Sequence, residues 1–245
     1  FAKGDPRIAQ MTAFTNAAYR KCGSLKAAME ADYKARLKKR PPVTEDIFDL
    51  VIWSTWLIEA ELVPDLEIPK GAKAFPQDLW RYLANYPFKD ASEYKRAAGN
   101  RNFRQLGYLA THAAYLVTGY GRHPIYIADS PKLYGFLRRN FYAVMEAGEA
   151  DVLAEFIDVL RQYGCSEKDD KQVRDGARYM LALYHRYDDD WMAYPEPGLP
   201  QSEVTDYDLI HKAWTGIASV RPRVPEPAEP GTYGGLVRQW LPAPH

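Results

Sequence analysis

This sequence predicts an all-α fold: an irregular helical bundle or a set of α/α toroid-like helical hairpins, closed by an extended Pro-rich C-terminal arm. Three observations carry that prediction. Apolar residues recur every three to four positions in nearly every patterned segment. Prolines and glycines punctuate those segments where helices end. From Arg221 onward the stretch RPRVPEPAEPGTYGGLVRQWLPAPH is too rich in proline for regular helix or sheet.

The elements follow in order. Residues 8–40 have helical patterning with a break at Gly23-Ser24, where the serine can cap a second helix, and Pro41-Pro42 ends the segment. Thr44, followed by Glu45 and Asp46, opens a helix running through 47–63, with acids at its positive end. Pro64 stops it, and 64–76 is a connector. Residues 77–85 read as a short amphipathic helix and 90–98 as another, ending at Gly99-Asn100. The stretch 105–120, QLGYLATHAAYLVTGY, is apolar nearly all round, which places it inside a bundle with His112 buried. Ser130-Pro131 is a strong entry into a helix over 133–147, and Gly148 breaks the chain. A helix over 150–163 follows, with Gly164 in the C-capping place. A helix over 171–187, a loop over 188–201 rich in Pro and Gly, and a helix over 206–220 complete the body. The chain thus divides into an N-terminal helical region (1–100), a helical-hairpin core (101–220) and the arm (221–245). The arm's tip, Leu236-Val237-Arg238-Gln239-Trp240-Leu241, is apolar enough to dock, with Trp240 and Leu241 as anchors.

Composition narrows the function classes. The 245 residues suit one large domain, and 47% apolar content supplies a packed core. Lys plus Arg and Asp plus Glu are 32 each, so no global field draws the protein to nucleic acid or an anionic membrane. The basic run 34–40 reads as a solvated helix end that complements the helix dipole. No segment approaches the roughly 20 apolar residues of a membrane span. The chain begins at Phe1 without methionine, which suggests a leader, a propeptide or a boundary upstream and leaves exported and cytoplasmic locations open. Cys22 and Cys165 have no CxxC spacing; they cannot form a zinc site unaided, and their pairing stays open.

Three helices present polar groups among apolar neighbours: Thr111-His112-x-x-Tyr115; the row Asp151, Glu155, Asp158 and Gln162; and Tyr207-x-x-x-His211-x-x-Trp214-Thr215. If these faces converge, His112, His211, Asp158 and Glu155 could form a first shell for Zn(II), Fe(II) or Mn(II). His112, His211 and Tyr115 could equally serve as acid–base groups. Patterning alone argues for something plainer. An acidic row on an amphipathic helix is usually its solvated face, and a lone histidine on an apolar helix is usually a hydrogen-bonded core residue. The run Tyr187-Asp188-Asp189-Asp190-Trp191 could hold Mg(II) through oxygens, but adjacent acids after a helix end are ordinarily solvated. Tyrosine outnumbers phenylalanine, 18 to 9; the phenols of Tyr108, Tyr115, Tyr134, Tyr142, Tyr163 and Tyr179, read as buried, need partners. Gly119-Tyr-Gly-Arg122-His123 lacks the lysine and serine of a phosphate loop.

The segment Gly176-Ala-Arg-Tyr179-Met-Leu, then Asp190-Trp191, then His211-Lys-Ala-Trp214-Thr215-Gly216 resembles the helical repeat of terpenoid cyclases and protein prenyltransferases. The resemblance covers about 174–220 and implies an α/α toroid-like fold. The glutamine and glycine of that repeat are replaced here by His185 and Asp189-Asp190-Trp191, and the acid motifs of the cyclases are absent. It therefore implies fold and no terpene chemistry.

Two functions are consistent with the sequence. The first is an accessory or binding subunit that meets a protein partner or another copy of itself through its Pro-rich arm. The alternative is an enzyme with a buried His/carboxylate site, for which a divalent transition metal is a candidate cofactor.

Overall fold

The computed structural model describes residues 6–28, 32–38, 44–68, 71–190, 194, 205–222 and 228–241. Of these 69% are helical, and no strand occurs among them. The elements are α1 (Pro6–Cys22), α2 (Leu25–Ala28), α3 (Tyr33–Lys38), α4 (Thr44–Ala60), α5 (Ala74–Ala84), α6 (Arg101–Thr118), α7 (Pro131–Glu146), α8 (Ala150–Gln162), α9 (Lys171–Arg186), α10 (Asp206–Val220) and α11 (Tyr233–Arg238). The chain divides into two compact units: Phe1–Leu83 with Pro227–Leu241, and Ala84–Glu226 with Pro242–His245.

In the first unit α4 buries Ile47, Leu50, Val51, Leu57 and Ile58, and α11 packs against it. The segment expected to be extended therefore contains a helix, capped by Thr232 Oγ1, which accepts from Gly235 N. Of its two expected anchors Leu241 is buried and Trp240 only half-buried; Val237 is buried as well. Residues 223–227 and 242–245 of the arm lie outside the described residues. The patterning over 8–40 resolves into α1, α2 and α3, broken at Gly23-Ser24 as the sequence suggests; Pro41-Pro42 lies outside the described residues.

The second unit is organised around α8, which packs against α6, α7, α9 and α10. The role expected of the 105–120 helix therefore falls to α8, every residue of which is buried except half-buried Glu155. Helix α6 keeps a wetter edge that includes Tyr108 and His112. At Gly176, α9 sits tightly on side chains of α7 and α8: a Cβ would lie 2.6 Å from Phe141 Cζ and 2.9 Å from Ile157 Cδ1. The helix expected over 90–98 is only a 3₁₀ turn, Ala91–Glu93. Bonds to α7 take its place: Arg139 Nε and Asn140 Nδ2 donate to Asp90 at 2.7 and 2.8 Å, and Ala91 N donates to Asn140 Oδ1 at 2.6 Å.

The tyrosines expected in the core are mostly half-buried, with Tyr115 alone of the six fully buried. Several of their hydroxyls are partnered, as at Tyr142 to Asp175 (2.9 Å) and Tyr163 with Ser130 (2.6 Å).

Candidate acid–base site between three helices

The row Asp151, Glu155, Asp158 and Gln162 does not face water as its pattern suggests. Their spacing puts them on one stripe of α8, and α6 and α10 pack over that stripe. Asp151, Asp158 and Gln162 are buried, and the Glu155 side chain is 13% exposed. Burying three carboxylates on one helix requires partners from its neighbours, and the neighbours supply them.

Asp151 accepts from three donors. Tyr108 Oη of α6 lies 2.8 Å from Oδ2, His211 Nδ1 of α10 lies 3.3 Å from the same oxygen, and the Thr215 hydroxyl faces Oδ1. Burial favours the neutral acid, but these donors outweigh it and hold Asp151 below the usual carboxylate range. An ionised carboxylate can only accept, so His211 carries its proton on Nδ1 and its lone pair, in the neutral ring, on Nε2.

One turn along, Glu155 is pushed the other way. Burial raises it well above the ordinary range, and the nearby Asp151 charge adds to this. Like charges one turn apart resist joint ionisation. Thr111 Oγ1 lies against the Glu155 carboxyl and 2.9 Å from the Tyr108 carbonyl.

His112 lies 3.6 Å from Glu155 Oε2, with Nδ1 2.9 Å from the Tyr108 carbonyl. Burial pushes its pKa down to about 4, so the ring is neutral and Nδ1–H donates to that carbonyl. Its side chain retains 23% exposure and that of His211 24%, so solvent reaches the cluster at both imidazoles. The expected burial of His112 is thus partial.

A second cluster lies farther along the stripe. Asp158 is paired with the guanidinium of Arg221, which also reaches the Tyr120 carbonyl at 2.7 Å, and Gln162 Nε2 donates to Asp158 at 2.9 Å. Tyr115 hydrogen-bonds to Asp158, and its phenol is raised by burial first and then by the charges of Asp158 and Glu155. Gly121, at φ +85°, leaves room for this arginine: a Cβ there would lie 2.6 Å from an Arg221 nitrogen. Of the two glycines that fail as a phosphate cradle, Gly121 thus serves an ion pair and Gly119 caps α6.

The structure therefore brings His112, Glu155, Asp151 and His211 to one place and sets Tyr115 and Asp158 in the adjoining one. Among the described residues no group of three or more His, Cys, Asp and Glu is arranged to hold a metal ion. At Asp158 the reason is visible, since Arg221 and Gln162 occupy its oxygens. Asp188 and Asp189 sit in an exposed left-handed turn, with His185 Nδ1 2.5 Å from Asp189; Trp191 and the Tyr207 side chain lie outside the described residues. Sequence reasoning missed Arg221 and the clamp made by Arg161. The Arg161 guanidinium donates to the Ser219 and Ala218 carbonyls at the end of α10, at 2.9 and 3.2 Å. Neither was legible in the sequence, because the pairing of Arg221 with Asp158 depends on Asp158 being buried, and spacing does not show what its face meets. No family model, curated protein or solved structure matches the chain.

Proposed function

We propose that this protein is an enzyme carrying out general acid–base chemistry at the junction of α6, α8 and α10. One observation supports this above the rest: on one stripe of α8, Asp151 sits among three donors, Tyr108, His211 and Thr215, while Glu155, one turn along, faces the Thr111 hydroxyl and His112 at 3.6 Å, surroundings that favour the carboxylate at the first and the neutral acid at the second. Environments that split a carboxyl pair in this way assign an acid and a base. Asp151 orients His211, whose Nε2 takes a proton from water or a substrate hydroxyl. Glu155 returns a proton to the departing oxygen, and neutral His112 holds the substrate beside it. The helical hairpins around the site are read as toroid-like, in line with the repeat-like segment 174–220. A divalent metal is not needed for this chemistry.

The experiment has two arms. Carboxyl-carbon NMR titration should show Glu155 protonating well above an ordinary glutamate; an ordinary value removes the acid. A panel of nitrophenyl esters, phosphates and glycosides should then reveal a hydrolysis with a bell-shaped pH profile. Glu155→Gln should abolish the limb on which rate falls as pH rises, and His211→Asn the limb on which it falls as pH drops. Loss on both is expected at about 10²–10⁴-fold.

A second reading, an accessory subunit, is favoured by a different observation: large apolar side chains on α10 are left exposed. The arm's tip supports it less, because Val237 and Leu241 are buried in its own unit.

A further inference from the structure

Helix α10 turns its polar side chains inward and leaves its large apolar ones outside. Its inner face presents Thr215, Gly216 and Ser219 to the core. Even its one lysine is turned inward, with Lys212 Nζ 5.1 Å from the centre of the Tyr194 ring. The outer face carries Ile210, Trp214, Ile217 and Val220, exposed at 50, 56, 56 and 71%, with Leu209 at 38% at its edge. No charged side chain lies on that outer face between Asp208 and Arg221. A helix face that meets only water is normally polar, so this one is built to be covered.

We propose that a second copy of this chain covers it, the two α10 helices packing side by side and antiparallel. Residues 210, 213, 217 and 220 follow the 3-4-3 spacing of a two-helix seam. A two-fold axis beside Ala213 and Trp214 sets Ile210 against Ile217 of the second copy. It also sets each Trp214 beside the other copy's Ala213, large against small. A patch that complements itself in this way is what a two-fold interface requires. At roughly 150–250 Å² for a fully exposed large side chain, the five exposed side chains offer about 500 Å² per copy. The pair then buries about 1,000 Å², the level a specific interface must reach. The proposal stands independently of the acid–base reading, since it uses the opposite face of the helix.

Sedimentation velocity of the intact chain over a dilution series tests it. The expected result is a monomer–dimer equilibrium that Ile217→Glu shifts toward monomer by at least 100-fold in concentration, with helical circular dichroism unchanged. Ala213→Cys, in a chain whose Cys22 is replaced by serine, should give a reducible crosslinked dimer on oxidation, and the same chain with Ala213 retained should not. A wild-type chain that stays monomeric at every concentration, or a dimer that survives Ile217→Glu, overturns the proposal. So does a monomer that captures a different protein through this face. A dimer lost in Ile217→Glu that fails to crosslink at 213 overturns the antiparallel register.

Discussion

His112 lies 3.6 Å from a glutamate, a distance at which an ionised carboxylate holds a histidine charged. Glu155 is pushed toward its neutral form, so that attraction is weak, and burial draws His112 down to about 4. The consequence for stability has a definite sign. Between about pH 6.5 and 4 the unfolded chain binds a proton at His112 that the folded chain refuses, so folding stability falls as pH falls through that window. The displacement corresponds to about 3 kcal/mol over the window, at about 1.4 kcal/mol per pH unit. Urea unfolding of wild type and His112→Gln at both ends should show an acid loss smaller in the variant by an amount of that order. Parallel losses would mean that His112 titrates normally. Asp158 offers a second test. Its side chain is 4% exposed, and Arg221→Ala leaves that charge with little besides Gln162 and Tyr115. Arg221→Ala should destabilise by about 3 kcal/mol. Asp158→Asn added to it should cost little more, and the shortfall from additivity, read by urea unfolding, measures the pair.

At the level of elements, the sequence specified most of the helices and misjudged which of them is central. Helix α10 spans the residues expected of it, 206–220, and α7, α8 and α9 fall within a few residues of expectation. The acidic row hid the central position of α8, because spacing shows which residues share a face but not what that face meets. Convergence of His112, Glu155, Asp151 and His211 depends on which helices pack together, and short-range patterning carries no such information. At the 3₁₀ turn Ala91–Glu93, Asp90 is held by Arg139 and Asn140, 49 and 50 residues away, contacts that short-range patterning does not reveal. The close approach at Gly176 gives a prediction at this scale. Alanine favours a helix over glycine by about 1 kcal/mol, yet its Cβ would collide with Phe141 and Ile157, both fully buried. Gly176→Ala should therefore destabilise by about 1–2 kcal/mol net. A rise in melting temperature would show that α9 can slide away from α8 at no cost.

For the whole molecule, charge balance and the outer face of α10 act together. With 32 basic and 32 acidic side chains and a pI near 7.1, copies meeting at neutral pH experience no net repulsion. The proposed seam contains no charged side chain, so its strength comes from apolar burial, which salt does not screen. A contact made instead by ion pairs would weaken as the screening length shrinks from about 10 Å at 0.1 M salt to about 3 Å at 1 M. Sedimentation at pH 7 across that salt range should therefore give a dimer constant that is unchanged or somewhat tighter. Moving to about pH 5 should loosen it modestly, because protonation of carboxyls and histidines gives both copies the same positive sign. A dimer that falls apart steeply with added salt would place the contact on charged surface elsewhere and leave the α10 face uncovered. The Ile217→Glu chain separates these effects further: it adds one negative charge to each copy exactly where the seam is apolar, so any association it retains must come from outside that seam.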